Sequence, residues 1–235
     1  MSEGKKKLQC VRCGSCCTVG GPTLHVEDRK LFEEGVLGWA DVVTLRKGEP
    51  ARDDVAGSLV ILGSEIVKIK GRSPRVWTCA YYKDGDTGGE GARAGRKGIG
   101  TCTIYDQRPV ECRLLNCWDP SALEAAYATG RISRGDLIRP GSALAELVAE
   151  HEAACPVARL SELDGDDSPE ARRELEALQK FDVSFRAVFM EKSGAGPEVL
   201  DFLFGRALTE VARLLAAARR KSEGARATAA ETAKE

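Results

Sequence analysis

The stretch LQCVRCGSCCTVGGP, residues 8–22, places four cysteines within eight positions and dictates how this part of the chain must fold. The four are Cys10, Cys13, Cys16 and Cys17. Disulfides explain them poorly, because a ring closed between the adjacent Cys16 and Cys17 is strained. Thiolates are strong ligands of zinc and of iron–sulfur clusters. Two residues between ligands let one tight turn aim both sulfurs at one centre, so the spacing predicts a metal-binding loop.

The spacing leaves the identity of the metal open. Structural zinc sites more often take two thiols from one turn and two from a distant turn. The spacing C-x2-C-x2-C is more similar to the [4Fe-4S] motif of bacterial ferredoxins, in which a Cys-Pro pair follows the three thiols. Here the fourth cysteine follows at once, and a Cys-Pro pair comes only at Cys155. Neighbouring side chains of an extended stretch point to opposite sides, so Cys16 and Cys17 can serve different centres. Nine cysteines suffice for two four-thiol sites with one left over.

A second cysteine-bearing stretch is GTCTIYDQRPVECRLLNCWDP, residues 100–120, with Cys102, Cys112 and Cys117. Arg108 and Arg113 are candidate cofactor-binding residues here, because their charge can offset an anionic [4Fe-4S] centre with four thiolates. Surface ion pairs with nearby carboxylates are the equally simple alternative. Those carboxylates belong to Asp106, Glu111 and Asp119. Tyr105 can donate its hydroxyl to a substrate or a sulfur, and a core tyrosine is the alternative.

Together these stretches resemble a known family. CVRCGSCC at 10–17, Cys79 with two tyrosines shortly after it, and GTCTIYDQRPVECR at 100–113 are similar to the YkgJ family of cysteine-cluster proteins. This family is also called the CxxCxxCC or zinc- or iron-chelating domain, and the resemblance covers about residues 8–117. It implies a metal-chelating fold that is often labelled an iron–sulfur protein, and a similar cluster accompanies flagellin lysine-methylating enzymes. The ligands that it implies are Cys10, Cys13, Cys16, Cys17, Cys79, Cys102 and Cys112. Cys117 and Cys155 are further candidates.

Composition narrows the class of protein. The chain has 235 residues, with 35 Lys and Arg against 36 Asp and Glu. This balance gives no general attraction to nucleic acid or to an anionic membrane. The N-terminus lacks the apolar stretch of a secretory signal, and no run approaches the length of a membrane span. We therefore expect a cytoplasmic protein. In that reducing compartment, nine cysteines indicate metal or redox chemistry rather than disulfides.

All nine cysteines lie in the first two thirds of the chain. We therefore predict a cysteine-cluster metal-binding domain at 1–160, a C-terminal helical region at 161–223 and a disordered tail at 224–235. SLVILGSEIVKIKG, residues 58–71, predicts a β-hairpin. The glycine-rich segment 84–100 predicts a mobile loop.

The C-terminal third is predicted to be helical. Ser168 followed by Pro169 is a helix start signal, and residues 198–221 form one long amphipathic segment. His151 lies four residues before Cys155, so the two share a helix face and form a candidate ligand pair, with a surface or capping histidine as the alternative. The predicted fold class is α+β, mostly helical with a small β-hairpin. An irregular cysteine-rich metal-binding lobe is followed by C-terminal helices.

The function expected first is iron–sulfur cluster binding, with one [4Fe-4S] cluster or two metal centres serving redox chemistry or electron transfer. The alternative is a zinc-chelating module with a structural or partner-docking role, and a third option is a metal-delivery or maturation factor. If the protein is an enzyme, we expect an iron–sulfur oxidoreductase or a group-transfer accessory. The expected partner is an electron-transfer or substrate protein, with neither nucleic acid nor a membrane.

Overall fold

The computed structural model describes residue 10 and residues 12–73, 76–85 and 98–232, without the side chains of 98–99 and 225–232. The segment predicted as a mobile loop falls mostly on residues 86–97, which lie outside the described residues. The flanks of that segment are described, and both are strands.

Short strands occupy the middle of the described chain. They are β1 (Val42–Leu45), β2 (Pro50–Asp53), β3 (Ser58–Ile61), β4 (Ile66–Ile69), β5 (Gly71–Ser73), β6 (Val76–Cys79), β7 (Tyr82–Gly85) and β8 (Gly98–Cys102). They associate in twos, β1 with β4, β2 with β3, β5 with β6, and β7 with β8.

Helices flank the strands in the sequence. They are α1 (Ser15–Thr18), α2 (Arg29–Glu33), α3 (Val110–Leu114), α4 (Ser121–Ala126), α5 (Ala143–Ala154), α6 (Val157–Leu163), α7 (Pro169–Ser193), α8 (Leu200–Leu203) and α9 (Leu208–Thr232). Short 3-10 turns are interspersed with them. The α+β, mostly helical fold with small hairpins is therefore confirmed. No helix within the described ranges combines the length and the apolar character needed to cross a bilayer.

The hairpin predicted over 58–71 is wrong in its pairing. Its first half, β3, pairs antiparallel with the preceding β2, and its second half, β4, pairs with β1. The β2–β3 turn is closed by Asp53, whose Oδ1 accepts hydrogen bonds from the N–H groups of Val55 at 2.9 Å and Ala56 at 2.8 Å. Gly57 ends this turn in a left-handed conformation, φ +66°, which glycine adopts without steric cost. The turn around Asp53 and Gly57 therefore pairs β3 with β2, and the chain does not form a hairpin at Gly63, between the two β-branched runs.

The chain divides into two compact units. The first unit comprises Met1–Asp41 and Lys68–Arg131, and the second unit comprises Val42–Val67 and Ile132–Glu235. This division differs from the predicted boundary at residue 160, because the early strands β1 to β3 belong with the late helices. Thr44 of β1, for example, donates its hydroxyl to the carbonyl of Phe202 at 2.7 Å. α9 continues to Thr232 and thus extends into the segment predicted as a disordered tail.

The start of α7 follows the predicted signal. Pro169 is its first residue, and the Ser168 hydroxyl accepts a hydrogen bond from the Ala171 N–H at 3.2 Å. The long amphipathic segment at 198–221 is divided between α8 and α9, and Gly205 lies in the break with φ +69°. The break allows α9 to begin against α6 and α7, where its apolar face is buried. The buried residues of this core are Cys155, Val157, Leu160, Leu208, Val211 and Leu215.

Candidate metal centre

The first unit contains eight of the nine cysteines, all of them free thiols. Four separate segments supply them: the N-terminal loop with α1, the end of β6, the end of β8, and α3 with the turn that follows it. In that order they carry Cys10, Cys13, Cys16 and Cys17, then Cys79, then Cys102, and finally Cys112 and Cys117. The fold thus gathers into one unit thiols that are spread over more than a hundred positions of sequence.

The N-terminal loop reverses direction at Gly14. This residue precedes α1 with φ +79°, and its carbonyl accepts hydrogen bonds from the N–H groups of Cys17 at 2.9 Å and Thr18 at 3.0 Å. Because the chain turns between Cys13 and Cys16, the C-x2-C spacing produces the tight turn that a metal-binding loop requires.

Tyr82 packs between the first loop and β8. A Cβ atom added to Gly14 or to Gly100 would fall on the Tyr82 side chain, so both glycines leave room for it. Tyr82 also pairs with Cys102 in the register of β7 and β8. Sequence reasoning did not find this packing role, although a glycine inside each cysteine motif was a signal of close approach.

A buried polar cluster attaches α3 to the segment after the first loop. Glu111 accepts hydrogen bonds from the Thr23 N–H at 2.7 Å and is paired with His25 Nε2 at 3.3 Å. Asp28 accepts from the N–H of His25 at 3.0 Å and from the N–H of Val110, the first residue of α3, at 2.9 Å. Burial raises the pKa of both carboxyl groups. These bonds fix the helix that carries Cys112, and the sequence did not reveal them.

The thiols differ in exposure, which divides them into two groups of four. We call Cys10, Cys13, Cys16 and Cys117, which are exposed, the outer thiols. We call Cys79, which is buried, and Cys17, Cys102 and Cys112, which are half-buried, the inner thiols. The two groups meet in α1, where the sulfurs of Cys16 and Cys17 are 4.0 Å apart.

The thiols are close enough to change one another's acidity. Burial raises the pKa of Cys112, and negative charge on Cys79, Cys16 and Cys102 raises it further. The Cys17 S–H donates to Cys16 and lowers the pKa of Cys16 to about 6, with a smaller contribution from the positive charge of Arg108. The same hydrogen bond raises the pKa of Cys17. Cys16 is therefore the more readily ionised of the two, and the thiolate is the form that binds metals.

The predicted cofactor-binding residues lie around Tyr105. The guanidinium carbons of Arg12 and Arg108 lie 3.8 Å and 3.7 Å from its ring centroid, so they must occupy opposite faces of the ring. Arg108 keeps a buried Nε with no hydrogen-bond partner among the described residues. Arg113 donates instead to the Arg108 carbonyl at 2.6 Å. Arg12, which the sequence analysis overlooked, belongs to this group.

The predicted alternative for the arginines, pairing with nearby carboxylates, is not what the described residues show. Glu111 is engaged by Thr23 and His25, and Asp119 accepts hydrogen bonds from Ser121. The positive charge of Arg108 is consequently left next to the thiol group, where it stabilises thiolate at Cys16.

No three of the described sulfurs in the first unit are as close together as the ligands of a single ion, although those of Cys16 and Cys17 are 4.0 Å apart. Within the part of the chain that the structure describes, the one set of three metal-ligand types with atoms within 4.8 Å of one another is His151, Cys155 and Asp182. No three of the eight described sulfurs of the first unit meet that distance. Four thiolates on one zinc ion, at Zn–S about 2.3 Å in a tetrahedron, would lie about 3.8 Å apart.

No known protein family, curated protein or solved structure matches this chain. The resemblance to the YkgJ family therefore stays a prediction that rests on the cysteine motifs. What the chain does must be inferred from the groups that the fold brings together.

Cys155, the ninth cysteine, belongs to the second unit and has different neighbours. It is fully buried, and burial, with the negative charge of Asp182, raises its pKa to about 11. His151 does share its surroundings, as the i, i+4 spacing predicted, but Nε2 of His151 is paired with Asp182 Oδ1 at 2.8 Å. Asp182 also accepts hydrogen bonds from Arg186 Nε and the Leu208 N–H, each at 2.8 Å. The carboxylate is thus already satisfied by three partners, and a metal would have to displace one of them.

Proposed function

We propose that the first unit is an iron–sulfur protein, in which cysteine thiolates hold a cluster that serves redox chemistry or electron transfer. One observation carries the proposal: eight thiols from four separate segments lie together in one unit, where burial and neighbouring thiols raise the pKa of Cys17, Cys79 and Cys112. Thiolates at this density would repel one another, so all of them can ionise together only where a cation offsets their charge. A metal centre supplies that charge.

The described sulfurs do not form a ready-made site for one zinc ion. A single zinc ion holds its thiolates about 3.8 Å from one another, whereas no three of the described sulfurs lie within 4.8 Å of one another. An iron–sulfur cluster places inorganic sulfide between its irons and thus holds the protein ligands further apart. The donor set, thiols without a histidine, also suits such a cluster.

The surrounding residues have identifiable tasks in this proposal. The group, when bound, supplies one-electron redox chemistry. Arg12 and Arg108, held on either side of Tyr105, place positive charge beside the thiolates and thereby favour the more reduced, more negative state. Glu111 and Asp28 hold α3, and with it Cys112, in a fixed position relative to the N-terminal segment.

The location and the partner follow from the same chemistry. Free thiols at this density persist in a reducing compartment, so we place the protein in the cytoplasm. Half of the thiols of the first unit are exposed, which suits exchange of electrons with another protein. We therefore retain an electron-transfer or substrate protein as the expected partner.

Reconstitution of the metal-free protein tests the proposal. Oxygen-free protein is offered either ferrous iron with sulfide or zinc alone, and bound metal and melting temperature are measured for the wild type and for Cys13→Ser. We expect iron and sulfide to bind stoichiometrically and to raise the melting temperature more than zinc does, because metal binding is coupled to folding. Cys13→Ser should bind less of both. Stabilisation by zinc alone would overturn the iron–sulfur proposal in favour of a zinc-chelating module.

A further inference from the structure

Strand β3 of the second unit has one edge without a partner. It pairs with β2 on one side, and among the described residues no strand pairs with its other side. The Leu62 N–H donates toward β2, to the Glu49 carbonyl at 3.0 Å. Successive N–H groups of a strand point to opposite edges, so the N–H and carbonyl groups of Leu59 and Ile61 point to the free edge. The strand therefore presents two donors and two acceptors to a further strand.

The side chains of β3 place an apolar surface at the same edge. Leu59 and Ile61 lie on one face of the strand, and they are 44% and 57% exposed. The alternate residues face the interior of the unit, since Leu62 is buried with Ala51 and Val60 is half-buried. An exposed apolar face beside an open edge is the arrangement that binds an added strand.

The usual protection of a free edge is missing from β3. Proteins commonly place charged residues, proline or a bulge at such an edge. The sequence of β3, Ser58–Ile61, contains neither a charge nor a proline, and its register with β2 is continuous. The β5–β6 and β7–β8 pairs, in contrast, contain register shifts. The edge of β3 is therefore suited to pairing.

The two ends of β3 differ in charge. Asp53 and Asp54 lie in the turn before the strand, at its N-terminal end. Lys47, which is exposed, lies beside the C-terminal end, because its neighbour Gly48 donates to the Leu62 carbonyl at 2.8 Å. Antiparallel strands run in opposite directions, so pairing of two β3 strands brings the acidic end of each toward the basic end of the other.

The other charges near β3 preserve this contrast. Arg52 offsets one of the two acidic charges, since its Nε lies 3.6 Å from Asp54 Oδ1, and one acidic charge remains. At the C-terminal end, the carboxylates of Glu49 and Glu65 are already paired with arginines, so the charge of Lys47 remains. A second copy of β3 is thus complementary to the first in charge as well as in backbone groups.

We infer that two copies of the chain associate by antiparallel pairing of their β3 strands, which joins two hairpins into a four-stranded sheet. A two-fold axis at Val60 places Leu59 of each copy opposite Ile61 of the other as a hydrogen-bonded pair. Four hydrogen bonds then connect the copies, and two apolar side chains from each meet on the exposed face. A typical interface has about ten direct hydrogen bonds, so this dimer is a weak one. The inference is independent of the proposed function, because the thiols of the proposed cluster belong to the first unit.

The oligomeric state of the full chain tests the inference. Sedimentation is measured over a range of concentrations, in reducing buffer so that no intermolecular disulfides form, for the wild type, Ile61→Lys and Val183→Lys. Val183 of α7 is 56% exposed, so the two substitutions place lysine at equally exposed apolar positions. We expect Val183→Lys to dimerise with the wild-type Kd and Ile61→Lys to dimerise at least about tenfold more weakly. A wild type that stays monomeric, or equal Kd values for the two variants, would overturn the inference.

Amide hydrogen exchange of the wild type locates the contact without any substitution. The N–H groups of Leu59 and Ile61 should exchange more slowly at concentrations where the protein is dimeric than where it is monomeric. Those of Val60 and Leu62 point toward β2 in either state and should change little. Dimerisation that leaves exchange at Leu59 and Ile61 unchanged would show that another surface is used, and would overturn the assignment to β3.

Ionic strength tests the direction of the pairing. Because opposite charges meet in the antiparallel arrangement, added salt should weaken the dimer by screening their attraction. In a parallel arrangement like charges would meet, and salt would tighten the dimer. Tightening would therefore contradict the antiparallel pairing.

Discussion

Tyr82 packs against the backbone of Gly14, at the midpoint of the first cysteine motif. The same side chain covers Gly100 in the strand that ends at Cys102. One aromatic ring thus sets the separation between two of the four segments that carry thiols. The metal-binding geometry depends on this packing as well as on the cysteines.

Gly14→Ala should therefore disrupt the centre without removing a ligand. The new Cβ would overlap the Tyr82 side chain, and φ +79° is strained for alanine, so we expect a loss of stability of about 2 kcal/mol and a reduced metal content. Thermal melting and metal analysis check this. Gly35→Ala is the control, because Gly35 has a similar φ of +70° but nothing within 4 Å of the added Cβ. Equal effects of the two substitutions would show that the Tyr82 contact is unimportant.

The lowered pKa of Asp182 predicts how the stability of the second unit responds to acid. Burial alone would raise its pKa, but hydrogen bonds from His151, Leu208 and Arg186, together with the Arg186 charge, outweigh burial and lower the pKa to about 2. A carboxyl group with a lowered folded-state pKa stabilises the protein above its unfolded-state pKa of 3.8 and loses that contribution as the pH falls through about 2. The contribution at neutral pH is about 2 kcal/mol.

Asp182→Asn should consequently lower the free energy of unfolding by about 3 kcal/mol near neutral pH, because Arg186 and His151 lose their buried partner. The difference from the wild type should shrink between about pH 4 and pH 2, because in that range Asp182 binds a proton in the unfolded chain while it stays ionised in the folded protein. Urea unfolding across that range measures both effects. Asp167→Asn, at an exposed carboxylate paired with Arg172, is the matched control and should change stability by less than about 0.5 kcal/mol. A difference between wild type and Asp182→Asn that stays constant with pH would refute the argument.

The segment 86–97 carries no cysteine, so its removal should leave metal binding intact. Gly85 and Gly98 are paired across β7 and β8, which means that a two-residue Asn-Gly turn can replace the segment and close the hairpin. We expect the shortened protein to bind the same amount of metal per chain as the wild type. Reduced metal content in a shortened protein with an unchanged melting temperature would show that the segment shapes the site.

Local signals in the sequence predicted part of this fold. The Ser168-Pro169 pair marked the start of α7 because capping depends only on the first turn of the helix. The pairing of β3 was missed because the turn that decides it, closed by Asp53, lies before the β-branched runs that suggested a hairpin. The break before α9 was missed because Asp182, which accepts the Leu208 N–H, is distant in sequence.

The candidate site, too, could be predicted only in part from local sequence signals. The cysteines and Arg108 were identifiable from spacing and charge, since ligand chemistry is carried by residue type. Their division into inner and outer thiols was not, because exposure depends on how β6, β8 and α3 pack around α1. The roles of Arg12, Tyr82 and Glu111 could not be predicted for the same reason: each acts through a tertiary contact that no short motif encodes.

The central claim is tested most directly by purifying the protein without oxygen and quantifying iron, acid-labile sulfide and zinc per chain. The account predicts a brown protein that contains iron and sulfide in equal amounts, with zinc well below stoichiometric. A colourless protein that carries stoichiometric zinc, or one that carries no metal while its eight thiols remain reduced, would contradict it.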